Sequence, residues 1–159
     1  MIPDLNGVVE RGDVRVAAAP ASRRYSLRAR DAAVLERVTG LALPAAIGET
    51  RAGVVRLGPD EWHARISVDA VLPSGEGEPV SVVDISSRAV NLIVEGPRAA
   101  ALLMTGCPLD LEKLAVGRAT RTVFELVEIV LWREDADRFC VEVWRSFAPW
   151  LWGALAAAA

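Results

Sequence analysis

The sequence predicts an α+β fold, and two features of the chain support this prediction. Segments rich in β-branched and large apolar residues outnumber those with helical periodicity, and short turn signals separate many of them. The elements also follow a similar order twice, β-α-β-β-(short)-β and then β-α-β-β-α, without a visible residue-level repeat. Each half therefore has the order of a split β-α-β, or ferredoxin-like, unit with an antiparallel sheet covered by helices on one face.

The first 22 residues are predicted to form a loosely ordered N-terminal arm with at most one edge strand. They hold several turn-forming residues and scattered charges, and only one compact apolar run. The remainder, 23–159, is predicted to be a single α+β domain. Its two halves are expected at about 23–84 and 85–159.

The first half begins with a strand at 25–29, where polar and apolar residues alternate. Asp31 can cap a helix over 32–39, and Gly40 can end it. A loop follows, because proline and glycine interrupt the pattern after the helix.

Two further strands, 52–57 and 61–68, are predicted to form a hairpin. The turn residues Gly58-Pro59-Asp60 join them. The segment 73–79 is rich in proline, glycine and acids, which is typical of a linker. The chain then returns as a strand at 80–84.

The second half opens with the best-defined stretch of the chain. Residues 89–95 are predicted to form a half-buried strand that Gly96 and Pro97 end. Because Pro97 suits the first helical position, a helix is expected over 98–105. Gly106 is expected to close it as a left-handed cap.

The rest of the second half is predicted to be mostly strand. Residues 120–133 form a long β-rich segment, with a bulge or break near Val127. Residues 138–144 alternate cleanly as another strand. Ser146 can cap a last helix, in which Pro149 is tolerated in the first turn.

Composition bounds the classes of function. Apolar residues make up 52% of the 159 residues, and the mean hydropathy is +0.28. These values indicate either a well-filled core or a surface that a partner covers, and both interpretations stay open. The net charge of −3 without a basic block argues against nucleic-acid binding. The C-terminal apolar run is too short to span a bilayer, and the two cysteines without a signal peptide favour a soluble, cytoplasmic protein.

The residues that carry chemistry form no clear constellation. His63 is the single histidine, and we expect a surface or edge-strand position for it. Asp84 and Asp110 fall beside turns, where a carboxylate commonly accepts bonds from backbone amides. Cys107 follows the end of the predicted helix, which favours a structural thiol over a reactive one. We therefore expect no catalytic, cofactor-binding or metal-binding residue in this chain.

Several motifs in the chain resemble those of the sarcosine oxidase gamma subunit family. In chain order they are Leu57-Gly58-Pro59-Asp60-Glu61-Trp62, Asp84-Ile85-Ser86-Ser87-Arg88, Glu95-Gly96-Pro97-Arg98-Ala99, Gly106-Cys107-Pro108-Leu109-Asp110-Leu111, Gly117-Arg118, Thr120-Arg121-Thr122, Leu131-Trp132-Arg133 and Arg145-Ser146-Phe147-Ala148. The fourth motif together with the last is the most specific part. The resemblance covers roughly residues 25–155.

The resemblance implies both a fold and a function. That family shares its fold with the folate-binding domain of aminomethyltransferases. It implies a non-catalytic gamma subunit that supports assembly and stability of a heterotetrameric sarcosine oxidase, or of a related N-methyl amino acid oxidoreductase, which oxidises sarcosine to glycine. The partners would be alpha, beta and delta subunits, which would hold FAD, FMN, NAD and tetrahydrofolate.

The alternative is a stand-alone tetrahydrofolate-binding or aminomethyltransferase-like protein. The aminomethyltransferases present a carboxylate in an Asn-Gly-Gly…Asp-Asp segment. This chain has no counterpart of that segment.

A partner interface is the one functional site that we place on residues of this chain. Arginine and tryptophan are favoured at protein–protein contacts, and the candidates are Arg98, Trp144, Arg145 and Trp152. For the arginines, a solvated face or internal ion pairs is the alternative. In the last helix Phe147, Trp150, Leu151 and Leu155 are expected to share the core-facing side, whereas Trp152 falls off it.

Overall fold

The computed structural model describes residues 7–159, and contacts divide the chain into two units. Residues 7–20 join Arg88–Ala159 in one unit, and Ala21–Ser87 form the other. We call them the six-stranded unit and the five-stranded unit after their sheets. The division into halves at about 84/85 stays a prediction about domains, although the boundary between the units falls near it.

Eleven strands and three helices are formed by the described residues. In chain order they are β1 (Val8–Arg11), β2 (Val14–Ala18), β3 (Ser22–Ala29), α1 (Ala32–Thr39), β4 (Thr50–Arg51), β5 (Val54–Gly58), β6 (Glu61–Ser67), β7 (Val80–Asp84), β8 (Ala89–Glu95), α2 (Ala99–Met104), β9 (Ala119–Phe124), β10 (Val127–Asp135), β11 (Arg138–Trp144) and α3 (Ala148–Ala158).

The six-stranded sheet has the order β1-β2-β8-β11-β10-β9, and every neighbouring pair is antiparallel. One face of this sheet packs against α2 and α3. Leu92 and Val141 from the sheet, Leu103 from α2 and Leu151 from α3 are all fully buried in this hydrophobic cluster. Apolar burial at this density is the main source of stability for the unit.

The five-stranded sheet has the order β4-β5-β6-β3-β7, again with antiparallel neighbours. Leu27 on β3 and Trp62 on β6 pack with Leu35 of α1 in a separate cluster. The helix has the predicted ends: Asp31 accepts a hydrogen bond from the Ala33 amide, and Gly40 has a φ of 70°. The α+β prediction with two antiparallel sheets is therefore confirmed.

The described part of the predicted arm, residues 7–22, is largely strand. Residues 1–6 lie outside the described residues. β1 and β2 form a hairpin, and β2 pairs with β8. Val14 and Val16 are buried, so this hairpin is part of the sheet. The short Val-Arg-Val alternation could not reveal a pairing partner so distant in the chain.

Two predicted helix caps are wrong. Gly106 does not have a positive φ. The helix α2 ends at Met104, and Thr105 caps it in a right-handed conformation. The space above Gly106 is filled by Phe124, whose Cε1 would lie 2.6 Å from an added Cβ. Glycine is needed there for close packing. α3 begins after Phe147 without a side-chain cap, so Ser146 does not cap it, although Pro149 lies in the first turn as expected.

The predicted break near Val127 is confirmed as a hairpin turn. β9 ends at Phe124 and β10 begins at Val127, and these two residues pair. Glu125 occupies the turn with a φ of 51°. Its amide donates to the Gly106 carbonyl at 2.7 Å, which ties the turn to the end of α2.

Candidate functional site

The two ends of the six-stranded sheet differ in chemistry. At one end β9 and β11 finish and β8 and β10 begin, and we call it the aromatic end. At the opposite end β8 and β10 finish, and we call it the polar end. The registers of β8, β9, β10 and β11 fix these positions, because all four strands pair without interruption near their centres.

The aromatic end exposes four large apolar side chains. They are Leu126 (97% exposed), Trp144 (50%), Phe147 (49%) and Trp150 (41%). The indole of Trp150 makes an edge contact with the buried ring of Phe124, with centroids 6.3 Å apart and planes at 67°. The interpretation of Phe147 and Trp150 as core residues is wrong, whereas that of Leu151 is confirmed because it is fully buried.

Backbone hydrogen bonds hold the aromatic end in a defined conformation. The Phe147 amide donates to the Trp144 carbonyl at 2.9 Å, and the Leu151 amide donates to the Phe147 carbonyl at 2.9 Å. The Arg145 amide donates to the Arg88 carbonyl at 2.7 Å. The turn after β11 is thereby joined both to α3 and to the start of β8.

Arg88 and Arg145 lie side by side at this end, and both are exposed. The segments 85–91 and 144–150 contain these two arginines and no carboxylate. Aromatic and arginine side chains are the ones that most often anchor protein–protein contacts. The aromatic end therefore has the composition of a partner-binding surface.

The polar end is held by ion pairs within the unit. Glu95 accepts from Arg15 at 2.5 Å and also from Arg138, and Arg138 in turn contacts Glu134 at 3.0 Å. The hydrogen bond from Arg15, and then the nearby charge of Arg138, hold the pKa of Glu95 below its ordinary value. An open depression of about 430 Å³ lies beside this network. Its lining residues are Glu95, Gly96, Asp135, Ala136, Asp137 and Arg138.

Arg133 fixes the crossover between α2 and β9 at the same end. Its guanidinium donates to the carbonyls of Leu111 at 2.9 Å, Leu114 at 2.6 Å and Ala136 at 2.8 Å. Its charged head also lies over the Phe139 ring, 5.4 Å from the centroid. This arginine has a structural task inside the unit.

The structure separates the four candidate interface residues. Trp144 and Arg145 are neighbours at the aromatic end. Arg98 precedes α2 and follows the end of β8, so it lies at the polar end. Trp152 is half-buried and packs against the hydrophobic cluster of its own unit. Sequence reasoning missed the exposure of Leu126 and of Phe147. Phe147 precedes α3, which begins at Ala148, so a correct helix start would have removed Phe147 from the core-facing side.

The two acids in the motifs stabilise turns, as predicted. Asp84 accepts from the Ser86 amide at 2.8 Å and from Arg23 at 3.0 Å. Hydrogen bonds from the Ser86 side chain and backbone, with a contribution from Arg23, hold the pKa of Asp84 below its ordinary value. Asp110 accepts from Lys113 at 2.7 Å, and this contact lowers its pKa too.

His63 lies where the sequence does not place it. It is 5% exposed on β6, which is flanked by β5 and β3, so the expectation of a surface or edge-strand histidine is wrong. Alternation along one strand does not report how many neighbours that strand has. Cys107 is buried, with its sulfur 3.9 Å from the Thr122 hydroxyl.

Two general features of the described residues bear on function. Among residues 7–159, no group of three or more His, Cys, Asp or Glu side chains is arranged to hold a metal ion. Within the same range, no helix combines the length and apolarity needed to span a membrane.

The fold defines the class of protein first. Aminomethyltransferase T of the glycine cleavage system from Bartonella henselae superimposes over 91% of this chain and 46% of its own, with a TM-score of 0.70 at 16% identity. At this identity the likeness shows the fold alone. The chain therefore has the aminomethyltransferase-like α+β fold that the sequence predicts.

Other proteins are more similar to this chain in sequence. A chain of the heterotetrameric sarcosine oxidase from Corynebacterium sp. U-96, in complex with pyrrole 2-carboxylate, has a TM-score of 0.86 at 29% identity and covers 99% of this chain and 90% of that one. Sarcosine oxidase subunit gamma of Corynebacterium sp. strain U-96 is 37% identical over 113 residues, and that of an Arthrobacter species is 34% identical over 122 residues. The resemblance predicted from the motifs is confirmed: this chain is similar in sequence and in fold to the sarcosine oxidase gamma subunits.

The sequence alignments cover only part of each protein. The aligned regions cover 64% and 69% of this chain, but 55% and 60% of the two relatives. The chain thus spans less than two thirds of the curated relatives that it matches. No protein-family model matches the sequence.

Proposed function

We propose that this chain is a non-catalytic, gamma-type subunit of a heterotetrameric sarcosine oxidase or of a related N-methyl amino acid oxidoreductase. Its role is to support assembly and stability of a flavin-containing complex that oxidises sarcosine to glycine in the cytoplasm. Alpha, beta and delta subunits are its proposed partners. FAD, FMN, NAD and tetrahydrofolate are proposed to be held by them.

One observation supports this proposal above the others. The structural match to a chain of a heterotetrameric sarcosine oxidase extends over nearly the whole of both chains, 99% and 90%, with a TM-score of 0.86. Similarity of fold over that length, together with the sequence similarity to gamma subunits, is consistent with a corresponding place in the same kind of assembly.

The roles of the candidate residues agree with a structural subunit. The motif acids Asp84 and Asp110 serve turns, and Glu95 serves an ion-pair network. Exposed tryptophan and phenylalanine side chains gather at one sheet end, where a partner would bury them. Trp144 and Arg145 are the predicted interface residues on which we base the proposal.

The test is purification of the tagged chain from its native host, with an absorbance spectrum, mass analysis of co-purifying chains and a sarcosine-dependent flavin reduction assay. We expect yellow material with larger chains and sarcosine-dependent reduction. A colourless chain that elutes alone would refute the proposal. Saturable tetrahydrofolate binding by that isolated chain in calorimetry would then support the alternative of a stand-alone folate-binding protein.

A further inference from the structure

The last strand of the five-stranded unit, β7, has little apolar support. Its five residues are all half-buried or exposed, and Val80 and Val82 only border the hydrophobic cluster of this unit. In the order of the sheet β7 is the terminal strand, next to β3. An edge strand with few buried side chains is the kind of element that opens locally while the rest of its unit stays folded.

Polar contacts hold the end of β7 instead. The Ser86 amide donates to the Asp84 carboxylate at 2.8 Å, and the Arg24 amide donates to the Ser86 hydroxyl at 2.9 Å. The Ile85 amide donates to the Arg24 carbonyl at 2.9 Å, so β3 and the chain after β7 stay bonded beyond the strand itself. We call the hydrogen bonds made by the Asp84 and Ser86 side chains the latch.

Arg23 extends the latch to the segment after β6. Its guanidinium donates to Asp84 at 3.0 Å and, through Nε, to the Val68 carbonyl at 2.9 Å. One side chain thereby ties the end of β7 to the chain just beyond β6. The side chains of Arg23 and Asp84 are 34% and 40% exposed. Because an exposed ion pair contributes little, the hydrogen bonds of Ser86 carry most of the effect.

The start of β7 is held more loosely. The segment before it, 73–79, contains turns but no helix or strand. Glu78 contacts Arg37 of α1 at 2.9 Å, and both side chains are exposed, so this ion pair is weak. β7 can therefore separate from β3 without breaking another helix or strand.

We propose that β7 is a flap that opens from β3 while the rest of the five-stranded unit stays folded, and that the latch sets how often the flap opens. The open flap leaves the main chain of β3 unpaired along one side. It also uncovers Tyr25 and Leu27, which lie opposite Asp84 and Val82 in the pairing register and are buried when the flap is closed. This motion takes place within one unit, so the inference does not depend on the proposed function.

The test is native-state hydrogen exchange of the whole chain, followed residue by residue by NMR. The test variants are Ser86→Ala, which removes the hydroxyl that accepts from Arg24, and Asp84→Ala, which removes the carboxylate of the latch. Ser86→Thr keeps a hydroxyl and is the conservative control. Asp110→Ala is the matched control for Asp84→Ala, because Asp110 also accepts from a turn amide and a basic side chain but belongs to the six-stranded unit.

In the unmodified chain, we expect the amides that bond β7 to β3 to exchange at least about tenfold faster than the paired amides of β6, which is inside the sheet. Ser86→Ala and Asp84→Ala should each speed exchange of the β7 amides by about fivefold to tenfold, the effect of losing one hydrogen bond. Exchange in β6 should not change. Ser86→Thr and Asp110→Ala should leave the β7 amides as they are.

Three results would overturn the inference. Equal exchange rates in β7 and β6 of the unmodified chain would show that β7 does not open by itself. If both test variants speed exchange in β6 as much as in β7, the latch supports the whole unit and there is no flap. If the β7 amides exchange equally fast in Ser86→Ala and Ser86→Thr, the hydroxyl is not part of a latch. Asp84 is exposed, so Asp84→Ala tests the flap even if Ser86→Ala impairs folding, which circular dichroism monitors.

Discussion

Gly96→Ala should be among the most destabilising single-methyl additions in the six-stranded unit. Gly96 has a φ of 116°, which side-chain-bearing residues rarely adopt. An added Cβ would lie 2.1 Å from the carbonyl oxygen of Asp13 and 2.9 Å from its carbonyl carbon. Neither side can yield easily, because Asp13 is in the turn of the β1–β2 hairpin and the Gly96 amide is bonded to the Asp137 carbonyl at 2.8 Å.

The expected loss in the free energy of unfolding for Gly96→Ala has two parts. A non-glycine residue in such a backbone region costs about 1–3 kcal/mol. Relief of the contact must shift a paired strand, and insertion of a methyl group into a packed site costs about 1–3 kcal/mol more. The sum is about 4 kcal/mol. For a chain of this size we expect the melting temperature to fall by about 8–16 °C.

Two other glycines provide controls for the two parts. Gly12 has a φ of 57° with nothing within 4 Å of an added Cβ, so Gly12→Ala should cost only the backbone part, about 1–2 kcal/mol. Gly153 is in α3 with open space and no positive φ, so Gly153→Ala should stabilise the unit by about 0.5–1 kcal/mol. Thermal and urea unfolding followed by circular dichroism measure all three. If Gly96→Ala and Gly12→Ala unfold within about 1 kcal/mol of each other, the close approach to Asp13 is not rigid and the reasoning fails.

Three further substitutions test the contacts described above. Arg15 and Arg138 hold the pKa of Glu95 below its ordinary value of 4.5 in the folded protein. The ionised carboxylate therefore stabilises the fold above pH 4.5, and this stabilisation is lost as the pH falls through the folded-state pKa. Glu95→Gln should therefore lower the free energy of unfolding by about 1 kcal/mol at pH 7. It should also make that free energy less dependent on pH below about pH 5. The same pH dependence in the variant and the unmodified chain would contradict this. Arg133→Lys loses the planar guanidinium whose Nη1 bonds the carbonyls of Leu111 and Leu114 and whose Nη2 bonds that of Ala136. This loss should cost about 2 kcal/mol and speed hydrogen exchange in 111–114, whereas unchanged exchange would argue against an anchoring role. Gly106→Ala places a methyl 2.6 Å from the Phe124 ring and should cost about 1–3 kcal/mol, and a neutral result would show that the ring moves freely.

The parts of the fold that sequence could predict are those set by local signals. The bounds of α1 follow from an Asp cap, apolar spacing and a terminal glycine, and the structure has the same bounds. β8 and β11 also have their predicted bounds, because each is a short apolar segment between turn residues. These signals depend on neighbours within a few positions, so one sequence is sufficient to detect them.

The errors arise where distant residues decide the outcome. β6 has a neighbour on each side, so His63 does not lie on an edge strand, and its side chain is buried. β2 is a strand because β8 accepts it, far along the chain. Gly106 looks like a helix cap by sequence, but the reason for glycine there is the Phe124 ring. Each of these depends on a tertiary contact that local propensity does not encode.

For the candidate site, sequence could identify Trp144 but not its surroundings. The alternation along 138–144 places Trp144 on the face opposite the hydrophobic cluster, and it is half-exposed in the structure. Phe147 and Trp150 depend on where α3 begins, and an error of one or two residues in a helix start changes which side chains face the core. The grouping with Leu126 required the β9–β10 turn to lie at the same end of the sheet.

The motifs that resemble the gamma subunit family divide between the two ends of the sheet, and this division separates structural from proposed binding roles. At the polar end, Glu95 and Gly96 are occupied by ion pairs and a close backbone contact inside the unit. At the aromatic end, the motif that finishes at Arg88 and the motif that begins at Arg145 are far apart in sequence, yet a backbone hydrogen bond joins them. There the backbone of both motifs takes part in the fold, and Arg88, Arg145 and the adjacent Trp144 are exposed. Exposed tryptophan and arginine side chains on a hydrogen-bonded backbone are typical of protein–protein contacts, and that is the physical basis for the proposed subunit contact at this end.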